Sequence, residues 1–247
     1  MRQFGLIGRT LGHSFSQTYF TQKFYSLGLT EHRYDLFELD TVEKLPALLA
    51  AHPELVGLNV TVPYKETVLP YLNDLAPSAA RVGAVNVIEC QPGGFLRGHN
   101  TDYIGFRDSL RPFFPHAGDG RRALVLGTGG ASKAVEVGLR ELDIPYWLVS
   151  RNGMGAGLTY EDLTPEVLAA HPLIINATPL GTFPHTDECP PLPYQALTPE
   201  HYLFDLVYNP AETLFMNKGK EAGAQVKNGF EMLCFQAEAA WKIWHNG

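Results

Sequence analysis

The sequence predicts an α/β protein of two domains, each built on a mostly parallel sheet with helices on its faces. Three observations lead there. Short apolar runs alternate with helix-spaced stretches along almost the whole chain, which is the pattern of βαβ units. The runs are too many for one small sheet. A Pro- and Gly-rich segment, RPFFPHAGDGRR at 111–122, reads as the exit from a connecting helix into a second unit. With 247 residues the chain is long enough to bury one large core or two modest ones.

Taken in order, RQFGLIG (2–8) is a first apolar run, and 16–27 follows with helical spacing. HRYDLFEL (32–39) reads as a second strand and 41–51 as its helix. LVGLNVT (55–61) leads into a helix over 64–72, whose start suits Pro63, because a missing N–H costs nothing there. AVNVIEC (84–90) is a further strand, and 102–113 is helical. Beyond the Pro/Gly segment, RALVLG (122–127), YWLVS (146–150), LIINAT (173–178) and YLFDLV (202–207) read as strands, with helices over 130–142 and 212–222. PHTDECPPLP (184–193) is a surface excursion. The final stretch, 228–244, sets Phe230, Leu233, Ala237, Ala240, Trp241 and Trp244 at helical spacing, a broad apolar stripe that needs a surface to dock on. That helix is expected to return to the first domain. The expected division is therefore 1–100 completed by 228–247, and 101–227, with a cleft between them.

Composition narrows the function. Lys and Arg number 19 against 26 Asp and Glu, a net charge of −7, so the basic footprint of a nucleic-acid module or a polybasic membrane anchor is missing. No apolar run approaches the ~18 residues of a membrane span, and the start, MRQFGLIGRT, lacks the apolar core of a secretory signal. Cys90, Cys189 and Cys234 are scattered, with no CxxC pair, which suits a reducing cytoplasm and no structural zinc. No histidine stands at metal-ligand spacing, so no metal is expected.

ALVLGTGGASKAVEVGL (123–139) carries the strongest chemical signal. An apolar strand runs straight into Gly127, Thr128, Gly129, Gly130 and Ala131, and a helix follows. In a dinucleotide fold the first glycine makes the tight turn, the second admits the pyrophosphate to the backbone, and the helix N-terminus meets the phosphates. Ser132 replaces the usual third glycine. The alternative is a plain tight turn. The next strand ends in Ser150-Arg151-Asn152, with no acid to accept from a ribose 2′-hydroxyl; an arginine there suits a 2′-phosphate, and so NADP, unless it is a plain surface residue.

In the first half, Ser14 and Ser16 precede a helix, either as caps or, with the helix N–H groups, as a carboxylate receptor. Asn59, Thr61 and Lys65 surround another strand-to-helix junction, where the helix dipole disfavours a cationic lysine. Asn100, Thr101 and Asp102 stand at a third, where Asp102 is either a cap or a functional acid.

These blocks together resemble the shikimate dehydrogenase family, in family order and over nearly the whole chain: Ser14 and Ser16; Asn59 to Lys65; Gly83 to Asn86; Asn100 to Asp102; Gly127 to Ala131; Asn176, Ala177 and Thr178; Asp205 to Pro210; Asn228 and Gly229 with Met232 and Gln236. The resemblance implies an N-terminal α/β substrate domain and a Rossmann-like NADP domain. It implies reversible reduction of 3-dehydroshikimate to shikimate, with Lys65 and Asp102 as the catalytic pair. Ser14 and Ser16 would hold the substrate carboxylate. Asn59, Thr61, Asn86, Asp102 and Gln236 would read ring hydroxyls, and Tyr208 would line the cleft. Gly127 to Ala131, Ser150, Arg151, Asn176, Ala177, Thr178 and Val207 would hold NADP, with Gly229 and Met232 at the nicotinamide.

The family's Pro after the second serine and its following His-Asn are here Gln17, Phe20 and Thr21. The basic helical stretch after the second Rossmann strand is replaced by GMGAGLTYEDL (153–163), so a helix there is expected to be lost to a loop. A quinate/shikimate dehydrogenase with relaxed NAD/NADP use is the nearest rival. A catalytically silent nucleotide-binding sensor is another, although such a module needs neither Lys65 nor Asp102. A transferase using another nucleotide is opposed by the 228–236 block. The expected partner is a small-molecule substrate, with no nucleic acid and no membrane, in a monomer or homodimer.

Overall fold

The computed structural model describes residues 1–12, 14–153, 155 and 157–245. Two compact units emerge, one of Met1–Thr101 with Ala237–Gly247, the other of Asp102–Gln236.

In the first unit, β1 (Arg2–Gly8), α1 (Phe15–Ser26), β2 (His32–Glu38), α2 (Leu45–Ala51) and β3 (Leu55–Val60) alternate as the sequence pattern requires. The expected 41–51 helix begins as a 3-10 turn, Val42–Lys44, because Pro46 suits only the first turn of α2. Pro70 likewise confines the expected 64–72 helix to α3 (Tyr64–Thr67) and a 3-10 turn, Leu69–Tyr71. β4 (Asp74–Leu75), α4 (Pro77–Val82), β5 (Val87–Gln91) and β6 (Phe95–His99) complete the unit. The strand order is β2-β1-β3-β5-β6-β4. β1 pairs parallel with β2 and β3, whereas β5 runs antiparallel to both β3 and β6. Only Pro92–Gly94 joins β5 to β6, and a parallel crossover needs a dozen or more residues, so a hairpin is forced.

The second unit contains α5 (Asp102–Phe113), β7 (Ala123–Leu126), α6 (Gly130–Glu141), β8 (Tyr146–Ser150), β9 (Leu158–Thr159), α7 (Pro165–Ala169), β10 (Leu173–Asn176), β11 (Tyr202–Asp205), α8 (Leu214–Glu221), β12 (Gln225–Lys227) and the start of α9 (Phe230–His245). Every strand pair is parallel, in the order β12-β11-β10-β7-β8-β9. Numbered within the unit this is 3-2-1-4-5-6 from the β9 edge, the doubly wound Rossmann order. β7 and β10 are buried on both faces, which explains their unbroken apolar runs. α5 and α6 cover one face through Phe106, Leu110, Val135 and Leu139; Leu168, Phe215 and Met216 cover the other. Among the described residues of 153–163 no α-helix forms, but the stretch is not all loop: Leu158–Thr159 is β9 and Tyr160–Asp162 a 3-10 turn; Met154 and Ala156 lie outside the described residues.

The last helix is shared. Its Phe230–Gln236 turns pack in the second unit and its remainder in the first, where Ala237, Ala240, Trp241 and Trp244 join Phe4, Phe20, Phe24 and Tyr34 in an aromatic core. Gly57 makes room for the Trp244 indole, which a Cβ there would overlap, and the indole N–H donates to the Ile88 carbonyl at 3.0 Å. No helix of the described residues is long and apolar enough to cross a membrane.

Candidate active site

In the first unit a chain of buried polar groups crosses the C-terminal end of β3. Ser14 caps α1, its hydroxyl accepting from the Gln17 N–H at 3.3 Å. Ser16, inside the first turn of α1, hydrogen-bonds the Tyr34 hydroxyl, and burial pushes the Tyr34 phenol far above its usual range. Tyr34 in turn donates to Asn59 Oδ1 at 2.7 Å, and Asn59 Nδ2 donates to the Asn86 carbonyl at 3.3 Å. The Asn86 amide is fixed from its other side by the Thr101 N–H at 2.7 Å and by its own bond to Thr101 Oγ1 at 3.0 Å. Asn100 is held by its amide to the Ala84 carbonyl at 3.0 Å.

Ser14, Ser16, Asn59, Asn86 and Asn100 therefore belong to one neighbourhood. Ser14 takes the cap reading, whereas Ser16 is no cap and is engaged with Tyr34. Tyr34 went unrecognised in the sequence, where it is one aromatic residue of an ordinary strand.

Thr61 follows β3, its N–H on the Ile7 carbonyl at 2.9 Å. Lys65 is half-buried on α3, and its carbonyl accepts the Val85 N–H at 2.7 Å, which ties α3 to the segment carrying Asn86. Since α3 has four residues, its dipole is small and acts little on Lys65.

Asp102 opens α5 in the second unit, buried at 9% exposure, at the helix end that suits a carboxylate. Gln236 is buried on α9 and donates to the Leu233 carbonyl at 3.0 Å; Met232 lies one turn before it.

The glycine turn sits at the C-terminal end of the Rossmann sheet. Gly127 has φ +105°, a conformation that favours glycine, and its N–H bonds the Val149 carbonyl at 2.8 Å. Gly129 caps the twelve-residue α6 without a side-chain bond, and a Cβ there would meet nothing within 4 Å. Thr128 and Gly129 are exposed. An unobstructed backbone at the N-terminus of a helix suits phosphate oxygens, so the residues present fit a dinucleotide. Ser132, at the third-glycine position, turns inward, its hydroxyl donating to the Gly129 carbonyl at 2.6 Å.

Along the same edge the Ala177 N–H bonds the Leu126 carbonyl at 3.0 Å. Asn176 Oδ1 accepts the Thr178 hydroxyl at 2.6 Å, while Asn176 Nδ2 reaches Asp205 Oδ1 at 2.9 Å. Asp205 also accepts from the Val207 N–H at 3.0 Å and the Thr213 hydroxyl at 2.6 Å, and Gly229 N–H closes on the Val207 carbonyl at 3.1 Å. Burial raises the Asp205 carboxyl to about 6, against the three hydrogen bonds that pull it down. Tyr208, just past this edge, is 38% exposed.

Ser150 is buried at the end of β8, and Arg151 and Asn152 are exposed beyond it. Burial raises the Tyr160 phenol, and the charge of Arg151 pulls it back. Tyr160 was not anticipated from the sequence. Among the described residues no group of histidine, cysteine or acidic side chains could hold a metal ion.

Comparison with known proteins completes the picture. Residues 6–88 match the shikimate dehydrogenase substrate binding domain. A shikimate dehydrogenase (NADP(+)) of Clostridium beijerinckii is 37% identical over 256 residues, covering 99% of this chain and 92% of the relative. The shikimate 5-dehydrogenase of Thermus thermophilus, solved with NADP(H) and shikimate, superposes with a TM-score of 0.86 at 33% identity, over 100% of this chain and 94% of that one. A quinate dehydrogenase from Corynebacterium glutamicum, solved with NAD, gives a TM-score of 0.85 at 26% identity, over 100% and 94%.

Proposed function

This chain belongs to the shikimate dehydrogenase family, and from that membership we propose that it interconverts 3-dehydroshikimate and shikimate with NADP. The observation that carries the proposal is the presence of both Lys65 and Asp102, each at a strand-to-helix junction, in a chain that matches the Clostridium beijerinckii relative over 99% of its length.

In this reading the first unit holds the substrate. Ser14 and Ser16 bind its carboxylate, and Asn59, Thr61 and Asn86 orient its ring hydroxyls. The Tyr34–Asn59–Asn86–Thr101 chain supports this, because it locks both asparagine amides before a ligand arrives. Asp102 and Gln236 of the second unit contribute to the same recognition, and Tyr208 borders it. The reduced cofactor, NADPH, would be held at Gly127 to Ala131 and would supply the hydride, with Arg151 and Ser150 toward the 2′-phosphate, Asn176 to Thr178 and Val207 along the strand ends, and Gly229 and Met232 toward the nicotinamide. Lys65 gives its proton to the ketone oxygen as that oxygen gains charge, and takes it back from the shikimate hydroxyl in reverse. Asp102 accepts a hydrogen bond from the same hydroxyl. Positioned proton transfer of this kind is worth about 10²–10⁴-fold. The three free cysteines support a reducing compartment, the cytoplasm.

Absorbance at the reduced-nicotinamide band, with shikimate and quinate each against NADP and NAD, tests the reading. NADP reduction with shikimate and little with quinate is expected. Turnover of quinate with NAD in preference would replace it with the quinate alternative, and no turnover with either would leave the silent sensor.

A further inference from the structure

Gly105 lies in the interior of α5, although glycine is among the poorest helix formers. A Cβ at this position would overlap the Met232 carbonyl oxygen and stand 2.9 Å from the Gln236 N and 3.0 Å from the Gln236 Cβ, all on α9. Two of those atoms are backbone and cannot swing aside. Any side chain at 105 would force the helices apart by on the order of 1 Å to restore a van der Waals separation of about 3.5 Å. Asp102 precedes Gly105 by three residues and Ser109 follows it by four, so all three share one face of α5. One turn along that face the contact is clamped. The Ser109 hydroxyl donates to Glu231 Oε2 at 3.0 Å, Lys227 Nζ donates to the Ser109 carbonyl at 3.0 Å, and Lys227 and Glu231 form an ion pair. Burial alone would raise the Glu231 carboxyl, but the Lys227 and Ser109 bonds hold it below its ordinary value.

We propose that Gly105 is a positioning residue for the reaction: it lets the α9 backbone close on α5, so that Asp102 on one helix keeps its working distance from Gln236 and Met232 on the other, and the Ser109–Glu231–Lys227 clamp fixes that distance. The proposal rests on the functional reading above. A displacement of this size costs up to about 10²-fold when it reaches reacting groups.

The test is Gly105→Ala in the full chain. Expected are a kcat lowered by roughly 10–100-fold, a raised KM for shikimate, and an NADPH affinity, read by its fluorescence, that falls far less than kcat, since the Gly127–Ala131 turn is untouched and only the Met232 end of the proposed cofactor site moves. A folded variant with wild-type kcat, or one whose only change is a lower melting temperature, overturns the proposal. Should that variant not fold, Glu231→Gln loosens the clamp without adding volume. A several-fold fall in kcat that exceeds any fall in NADPH affinity supports the proposal, and unchanged kcat overturns it. Amide exchange at Met232 to Gln236 separates this inference from the functional reading. If the wild type does not turn over shikimate, that reading fails and the catalytic role of Gly105 is overturned with it. Faster exchange in whichever of the two variants folds still supports the packing contact in that case, and unchanged exchange overturns the contact as well.

Discussion

The Asn176 side-chain amide donates to Asp205 Oδ1 at 2.9 Å, and the two residues are register partners at the ends of the parallel strands β10 and β11. Asp205 has no exposed surface, yet it organises the strand ends from which Thr178, Val207 and Gly229 emerge. A carboxylate that accepts three hydrogen bonds is a rigid hub. It remains a costly one, because water is excluded from it.

The cost predicts a pH dependence. Asp205 titrates at about 6 in the fold against an ordinary value of 3.8, so between those values the folded protein binds more protons than the unfolded one. Stability from this group is fullest below pH 4 and falls as the pH rises through 6, by on the order of 2–4 kcal/mol. Asp205→Asn retains an acceptor for Asn176 and Val207, and the Thr213 hydroxyl can turn to accept. Urea unfolding of both proteins at pH 4 and pH 7 should show the variant gaining on the wild type by that amount. An equal gap at the two pH values would mean that Asp205 stays ionised throughout.

Lys65→Ala should lower kcat by about 10²–10⁴-fold and leave the KM for shikimate nearly unchanged, because the carboxylate grip is assigned to Ser14 and Ser16. The split between the two constants distinguishes lost proton transfer from lost binding. Steady-state kinetics at saturating NADP decides it, and near-normal turnover removes Lys65 from the chemistry.

Tyr34→Phe tests the buried chain in the first unit. The change strips the donor from Asn59 Oδ1 and the partner from Ser16. Leaving a buried acceptor unmet costs about 1–3 kcal/mol, and the Asn59 amide loses the bond that sets its orientation. Both a lower urea midpoint and a KM for shikimate raised several-fold are expected. A destabilised variant with unchanged KM would show that the chain supports the fold and not the ligand.

The sequence made the strand-to-helix junctions legible because each is a local pattern: an apolar run, a turn residue, a helical period. The β7 turn and α5, α6 and α9 are of this kind. β6 was legible only as a strand end before Asn100 and not as an apolar run, because FLRGH carries Arg97 and Gly98 and becomes a strand by pairing with β5. β9 and β12, of two and three residues, are likewise too short to show a period. α4 is a single short helix, yet its signals were present in Pro77 near its start and the left-handed Gly83 at its C-cap. In the site, residue types could be read and their partners could not. Tyr34 meets Asn59 across a sheet, and Gly105 meets Gln236 across two helices; neither pairing leaves a trace in local spacing.

In the proposed reading, cofactor choice is assigned to the end of β8. NADP differs from NAD by a 2′-phosphate, which repels an acid and rewards a guanidinium able to make two parallel bonds. Arg151 is exposed there, and the stretch from Asn152 to Leu163 contains no Lys or Arg. Its acids are Glu161 and Asp162, and Asp162 is engaged in capping, accepting the Thr159 N–H at 2.7 Å and the Thr159 hydroxyl at 2.8 Å. With no helix among the described residues of 151–157, no second cation is brought in from that side. One charge-assisted contact is worth about 1.5–3 kcal/mol, or on the order of 10–150-fold, so a clear but moderate NADP preference in kcat/KM is expected. Arg151→Ala should bring NADP and NAD close to parity, chiefly through a raised KM for NADP, with NAD kinetics barely altered. A wild type that prefers NAD, or a variant that keeps its full preference, would mean that another group reads the phosphate.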